Sequence, residues 1–189
     1  MIEGANEKII LATIEEGGNN PTNRFSTLKV AANCGVSEFL IYDHFKSKIA
    51  LLNAADLYLS KLLFAYSEEA VKINDSFSDF FSDLMLFQVR HPSWNGFWLN
   101  YSSIFPRFSL EREENPASVP LSLLQALRKY FPDASFPDLD EAFRFIIRET
   151  ICFARYVIYS EVPGNAHRIE VESRIVYGGL NAFKKDKNL

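Results

Sequence analysis

The sequence predicts an all-α protein with a small N-terminal part and a larger helical body. Apolar residues recur at helical spacing along nearly the whole chain. No run of alternating Val, Ile or Thr bounded by tight turns indicates a strand. The 189 residues, of which 48% are apolar and 14% aromatic, are enough for an ordered core and for one or two domains.

Helix breakers and capping residues divide the N-terminal part into three helices. The first predicted helix runs from about Ala5 to Glu16 and ends at the breaker Gly17–Pro21, because glycine and proline both oppose a helix. Ser26 is a capping residue for a second helix that ends near Gly35. Ser37 caps a short third helix in the same way.

A long helix over about Ser47–Ile73 is predicted to join the N-terminal part to the body, since its apolar residues form one stripe. Prolines delimit most of the later helices, because proline lacks an N–H donor and has a fixed φ. These helices are predicted near Ser78–Arg90, Ser93–Phe105, Val119–Phe131, Leu139–Ser160 and His167–Lys185. We therefore expect one domain over residues 1–48 and a second over residues 49–189.

Residues 26–45 have the spacing of a helix-turn-helix. Ala31 is the small residue needed where two steeply crossing helices touch, and Gly35 is a turn residue that tolerates positive φ. In such a unit the second helix enters the major groove of DNA while the first crosses the backbone. The residues expected to form its shared apolar core are Val30, Val36, Ile41 and Phe45.

Over about residues 8–52 the chain resembles the TetR family of transcriptional regulators. The resemblance implies a three-helix DNA-binding domain followed by a helical domain that binds a ligand and dimerises. It is carried, in order and without a gap, by Phe25-Ser26, Val30-Ala31, Cys34-Gly35-Val36-Ser37, Ile41-Tyr42, His44-Phe45, Lys46-Ser47-Lys48 and Leu51-Leu52.

The resemblance also assigns contacts with double-stranded DNA. Tyr42, His44 and Lys48 are expected to contact phosphates, which position the protein without reading sequence. A partly buried Tyr42 and a merely exposed His44 remain alternatives. The other DNA-binding residues that the resemblance implies, facing base edges or the groove, are Thr27, Leu28, Ser37, Glu38, Phe39 and Leu40.

The head, residues 1–52, is not basic, because it holds five Lys or Arg against six Asp or Glu. Nonspecific affinity comes from phosphate neutralisation, so we expect weak nonspecific binding and a shallow salt dependence. Glu38 can still accept a hydrogen bond from cytosine, and Phe39 or Leu40 can pack on a thymine methyl. The same residues also fit an alternative, a TetR-like dimeric module for ligand or protein binding that no longer binds DNA.

An aromatic segment in the body is a candidate pocket for a small apolar or aromatic effector, which TetR-like proteins bind in their helical body. Such pockets are lined mostly by apolar and aromatic side chains. Ordinary core packing is the alternative. The candidate pocket residues are Phe81, Met85, Trp94, Phe97, Trp98, Tyr101, Phe105 and Arg148.

The last two helices are apolar on more than one face, so each needs several packing partners. The resemblance implies that they form a four-helix bundle with their copies in a homodimer; a monomer that packs them internally is the alternative. The dimer would act as a repressor on a near-palindromic operator, and the effector would relieve repression by favouring another spacing of the two heads. The expected interface residues are Ile147, Ile151, Ala154, Ile175, Gly178 and Gly179.

Other classes of protein are disfavoured. The three histidines lie far apart, and no nucleophile or phosphate-binding motif occurs, so neither an enzyme nor a cofactor is expected. Cys34 and Cys152 are too few for a disulfide framework or a metal site, and both are expected to be buried thiols. With no signal-peptide pattern and no uncharged apolar run of about 18 residues, we expect a cytoplasmic protein without a membrane partner.

Overall fold

The computed structural model describes residues 2–20, 24–101, 118–159 and 166–185. Within these ranges it holds helices and no strand, so the predicted all-α class is confirmed. In chain order the helices are α1 (Ile2–Asn19), α2 (Thr27–Cys34), α3 (Glu38–Phe45), α4 (Lys48–Ile73), α5 (Phe77–Arg90), α6 (Pro92–Tyr101), α7 (Leu121–Leu127), α8 (Phe136–Tyr159) and α9 (Ala166–Lys185).

Serine caps begin three of these helices. The Oγ atom of Ser26 accepts a hydrogen bond from the Lys29 amide at 3.3 Å, and that of Ser37 accepts one from the Leu40 amide at 3.2 Å. Ser47 does the same for the Ala50 amide at 3.0 Å, at the start of α4. Each bond satisfies an N–H group that has no partner within its own helix.

α1 is longer than predicted, because it continues through Gly17 and Gly18 to Asn19. The reason is a direct contact with α6. A Cβ atom on Gly18 would lie 2.0 Å from the Ser93 carbonyl oxygen, and one on Gly96 would lie 2.4 Å from the Gly18 carbonyl oxygen. The glycines therefore let two helix backbones touch, and this contact offsets their low helix propensity of about 1 kcal/mol each.

Contacts within the chain group the described residues into two compact units. Unit 1 contains the described residues of Met1–Leu62 and His91–Ala117. Unit 2 contains those of Leu63–Arg90 and Ser118–Leu189. Each unit therefore contains two separate stretches of sequence, and α6 belongs with α1, α2 and α3. The domain boundary after residue 48 stays a prediction.

Each unit has its own buried core. In unit 1, α1 packs on both α6 and α2, and α2 packs on α3. In unit 2, α5 packs on α8 and α9. The fully buried large side chains include Ile9, Ile14, Ile41, Phe97 and Trp98 in unit 1, and Phe80, Phe81, Phe131 and Phe143 in unit 2.

α4 passes, by length and composition alone, the test for a helix able to cross a membrane. Its most apolar window has a mean hydropathy of 1.3, and 44% of that window is buried in the structure. Leu51, Leu52, Leu59 and Leu63 are all fully buried. Length and composition alone are weak evidence for a membrane span.

Candidate nucleic-acid interface

The turn between α2 and α3 has the backbone geometry that the helix-turn-helix spacing predicts. Gly35 has φ 70° and ψ 32°, in the left-handed region that glycine enters without strain. Its amide donates to the Ala32 carbonyl at 3.2 Å, and the next amide, of Val36, donates to the Ala31 carbonyl at 3.0 Å. These two bonds satisfy the end of α2 and set the direction of α3.

The inner faces of α2 and α3 form the expected apolar contact. Val30, Ala31 and Ile41 are buried, whereas Val36 and Phe45 are half-buried. Cys34 is also buried, which confirms the prediction for this thiol, and burial raises its pKa against an opposing effect of Lys8. The helix pair is therefore anchored by residues that leave the opposite face of α3 free.

The outer face of α3 presents an aromatic surface to solvent. Phe39 is 80% exposed and Tyr42 is 39% exposed, and Leu28 at the start of α2 is 65% exposed. Asp43 and Lys46 complete this face at helical spacing and are exposed as well. A large apolar side chain this exposed at the start of a helix is available to an external partner.

Thr27, Glu38 and Tyr42 form a hydrogen-bonded cluster where α2 and α3 begin. The Thr27 hydroxyl donates to the Glu38 carboxylate and lies 3.2 Å from the Tyr42 hydroxyl oxygen. Thr27 itself is buried. Among the predicted DNA-binding residues it therefore positions Glu38 and Tyr42 rather than facing outward.

The remaining predicted DNA-binding residues differ in exposure. Ser37 is exposed and caps α3, whereas Leu40 and His44 are half-buried. The Nζ atom of Lys48 donates to the Phe25 carbonyl at 3.1 Å and lies 5.0 Å from the centroid of the Phe25 ring. The charge of Lys48 is thus held by contacts within unit 1.

The other lysines of the head also make internal contacts. Lys8 donates to the Cys34 carbonyl at 2.9 Å. Lys29 lies 3.7 Å from the Glu16 carboxylate, and Lys46 lies 3.8 Å from that of Asp43. Arg24 is exposed just before α2. Internal pairing therefore reduces the positive charge that the head presents to phosphate.

The structure does not bring the predicted pocket residues into one unit. Phe81 and Met85 are buried in α5 of unit 2, whereas the four residues on α6 belong to unit 1. The Arg148 guanidinium lies 5.1 Å from the Phe145 ring centroid on a partly exposed part of α8. The residues on α6 are Trp94, Phe97, Trp98 and Tyr101; Phe105 lies outside the described residues.

The predicted dimer residues fall into two groups. Ile147, Ile151 and Ala154 are buried within the chain, so they pack the interior of unit 2 and are not available to a partner. Ile175 is 62% exposed, and Gly178 and Gly179 are exposed beside it on α9. Helix α8 is apolar on several sides, and the sequence could not tell which side faces inward.

Two features of unit 2 were not predicted. Gln88 on α5 is fully buried, and neither its Nε2 nor its Oε1 atom has a hydrogen-bond partner in the structure. A single amide in the apolar stretch Leu84–Val89 is the sequence signal that could have found it.

Cys152, predicted to be buried, is exposed on α8. Among the described residues, no group of His, Cys, Asp or Glu could hold a metal ion.

Comparison with known proteins gives the same assignment as the motif. Residues 9–55 match the bacterial regulatory proteins of the tetR family, and no curated protein matches the chain. A TetR family transcription regulator from Marinobacter aquaeolei VT8 has a TM-score of 0.67 at 16% identity, over 93% of this chain and 95% of its own.

Two further solved structures share the fold. A protein from Pseudomonas aeruginosa PAO1, assigned to transcriptional regulation, has a TM-score of 0.64 at 17% identity, over 96% of this chain and 92% of its own. A TetR transcriptional regulator from Rhodococcus sp. RHA1 has a TM-score of 0.56 at 16% identity, over 95% of this chain and 97% of its own. Residues 9–55 therefore match the tetR family of bacterial regulatory proteins, and the chain as a whole shares its fold with solved TetR transcription regulators.

Proposed function

We propose that the protein is a cytoplasmic, homodimeric repressor that binds a near-palindromic operator through α3 and leaves it when a small effector binds. The outer face of α3 is the observation that carries this proposal. Phe39, Leu28 and Tyr42 are exposed there, and the cluster around Thr27 holds Glu38 and Tyr42 in place. Groups held in place before binding lose little entropy when DNA arrives.

The chemistry of this face favours direct reading of bases. A carboxylate accepts a hydrogen bond from the N4 amino group of cytosine, and apolar side chains pack on the thymine methyl. Glu38 is suited to the first contact and the exposed Phe39 to the second. Each good base contact contributes about 1–3 kcal/mol of discrimination, so a few of them offset a weak phosphate attraction.

Selection of bound DNA from a random duplex library at low salt tests this function. We expect the wild type to enrich a near-palindromic site, and Glu38→Gln to exchange a cytosine in each half-site for adenine, which glutamine prefers. Phe39→Ala weakens enrichment, whereas Leu121→Ala, at another exposed apolar position, on α7, leaves it unchanged.

A second candidate, the dimeric module that no longer binds DNA, is favoured by one observation. The head lysines Lys8, Lys29, Lys46 and Lys48 all make internal contacts. If a folded wild-type protein enriches no site, this second function replaces the first.

The dimer part of the proposal is supported by the exposed face of α9. Ile175 lies one turn before Gly178 and Gly179, and a Cβ atom on either glycine would meet nothing within 4 Å. A partner helix can therefore approach closely there. We expect Ile175→Arg to give a monomer in sedimentation equilibrium, whereas Leu121→Arg, a matched exposed position on α7, remains a dimer. A dimer that survives Ile175→Arg contradicts this interface.

The effector part is supported by the buried amide of Gln88. A buried amide without a partner costs about 1–3 kcal/mol, which a bound molecule offering a donor and an acceptor would recover. Phe81 and Met85 lie on the same helix and are buried, in keeping with an apolar or aromatic ligand. We retain these two residues, with Gln88, as the proposed effector contacts.

A further inference from the structure

Unit 2 contains a cleft of about 380 Å³. Its wall is built from the turn that precedes α5 and the first residues of α5, from residues that follow α7, and from one face of α9. Pockets for small organic ligands begin at about 300 Å³. The lining that the structure describes includes none of the other predicted pocket residues, Phe105 aside.

Aromatic rings form the apolar part of the cleft. The Phe77 ring centroid lies 4.9 Å from that of Tyr177 and 5.9 Å from that of Tyr130, the latter edge-on. The Tyr130 hydroxyl donates to the Asn74 carbonyl at 2.6 Å, and that of Tyr177 donates to the Tyr130 carbonyl at 3.4 Å. The rings are thus fixed in place, and they form the apolar wall of the cleft.

Hydrogen bonds between elements keep the wall in shape. The Ser78 and Ser173 hydroxyl oxygens lie 2.8 Å apart and join α5 to α9. Ser173 is buried and also donates to the Glu170 carbonyl at 2.8 Å. Because both hydroxyls are engaged in these bonds, the cleft exists before any ligand arrives.

Two cationic side chains from different elements line the same cleft. The Lys129 Nζ atom lies 3.0 Å from Asp75 Oδ1 and donates to the Val71 carbonyl at 3.3 Å. Arg174 pairs with Glu170 at 2.5 Å and is largely exposed. Asp75, the acidic residue of the described lining, is fully exposed. An exposed ion pair is worth little, so an anion displaces it readily.

We propose that this cleft binds a small aromatic acid, whose ring packs on Phe77, Tyr130 and Tyr177 and whose anionic group pairs with Lys129 and Arg174. Burial, with smaller effects of Asp75, Asp79 and Asp83, raises the pKa of Tyr130 to about 12. Its phenol therefore stays neutral and does not repel the anion. The site is independent of the DNA-binding proposal, because it lies wholly within unit 2.

Isothermal titration of the full chain with 2-naphthoate, and with uncharged 2-naphthol as the matched probe, tests the site. We expect one 2-naphthoate per chain, bound about tenfold more tightly than 2-naphthol, because its carboxylate forms charge-assisted pairs with Lys129 and Arg174 that the neutral probe cannot form. The double variant Lys129→Gln, Arg174→Gln then loses about tenfold in affinity for the anion and little for the neutral probe.

The control is Lys61→Gln, Lys72→Gln, which removes the same charge from α4 at positions outside the cleft. It binds 2-naphthoate as the wild type does. Equal affinity in the cleft variant and the control would place the anion elsewhere and overturn the proposal, as would a folded wild type that binds no 2-naphthoate. Both outcomes are independent of whether the protein selects an operator.

Discussion

Gln88 is a polar side chain at a buried position where an apolar side chain would be more stabilising. It is fully buried on α5, next to the buried Phe87 and close in sequence to Leu84 and Met85. An amide buried without a partner destabilises the folded state. Proteins keep such destabilising groups mainly at functional sites, which is why we connect this residue with the effector.

Replacing Gln88 by methionine is expected to stabilise the protein. The side chains have similar volume, so Gln88→Met removes the unpaired amide and raises the free energy of unfolding by about 1–2 kcal/mol. Urea denaturation measures this change. Gln125→Met on α7, where the side chain is exposed, is the control and leaves stability unchanged. A destabilised Gln88→Met would show that the amide is satisfied in solution.

Tyr101 makes the stability of unit 1 decrease as the pH rises in the alkaline range. Its hydroxyl donates to the Asn20 carbonyl at 3.0 Å, and burial together with the nearby Glu16 raises its pKa to about 12. An unfolded tyrosine has a pKa near 10. The contribution is therefore complete below about pH 10 and disappears as the pH rises through the folded value.

We expect the free energy of unfolding to fall by about 1 kcal/mol between roughly pH 9 and pH 11 on account of Tyr101 alone. Denaturation of the wild type and of Tyr101→Phe at both pH values measures it. The variant lacks this part of the decline. An identical decline in both proteins would mean that Tyr101 ionises as readily in the folded chain as in the unfolded one.

At the scale of helices, the sequence predicts well which segments form helices. It predicts poorly which helices contact one another. Apolar spacing and the caps Ser26 and Ser37 predicted the helices of the head, and Gly35 predicted the turn. Gly17 and Gly18 were interpreted as a helix breaker. A single sequence does not distinguish a glycine that ends a helix from one that allows a second helix to pack closely. Their partner, Gly96, is far away in the chain.

The same limit applies to the candidate sites. The aromatic residues of α6 have the composition of a ligand pocket, yet in the structure they belong to unit 1 with α1. The cleft in unit 2 draws its lining from α5, from residues after α7 and from α9. Such a set of residues forms no motif, since only the tertiary contacts bring its members together.

The contact between α1 and α6 predicts opposite effects for two glycines in one helix. Gly18→Ala places a methyl group against the Ser93 backbone, which cannot move aside as a side chain can, so we expect a loss of at least about 2 kcal/mol. Gly4→Ala meets nothing within 4 Å and gains helix propensity, about 0.5–1 kcal/mol. Urea midpoints of both variants test the contact; equal midpoints would contradict it.

For the whole molecule, internal pairing of the head lysines predicts a shallow salt dependence of operator binding. If each head neutralises about two phosphates, the slope of log K against log salt is about −4 for the dimer, whereas full use of all five basic residues would give about −9. Fluorescence anisotropy with the selected operator across a salt series measures it. A slope near the steeper value would mean that the lysines release their internal partners on DNA.

The discontinuous make-up of unit 1 has a consequence for how the protein is made. α1 leaves the ribosome before its partner α6, which is encoded more than 70 residues later. At a translation rate of about 5–20 residues per second, the Gly17–Gly18 face of α1 stays exposed for several seconds before α6 is synthesised. Unit 1, which contains the helix-turn-helix, therefore cannot complete its fold co-translationally until α6 has emerged. A nascent chain arrested before residue 91 would carry the helix-turn-helix sequence without the helix that supports it.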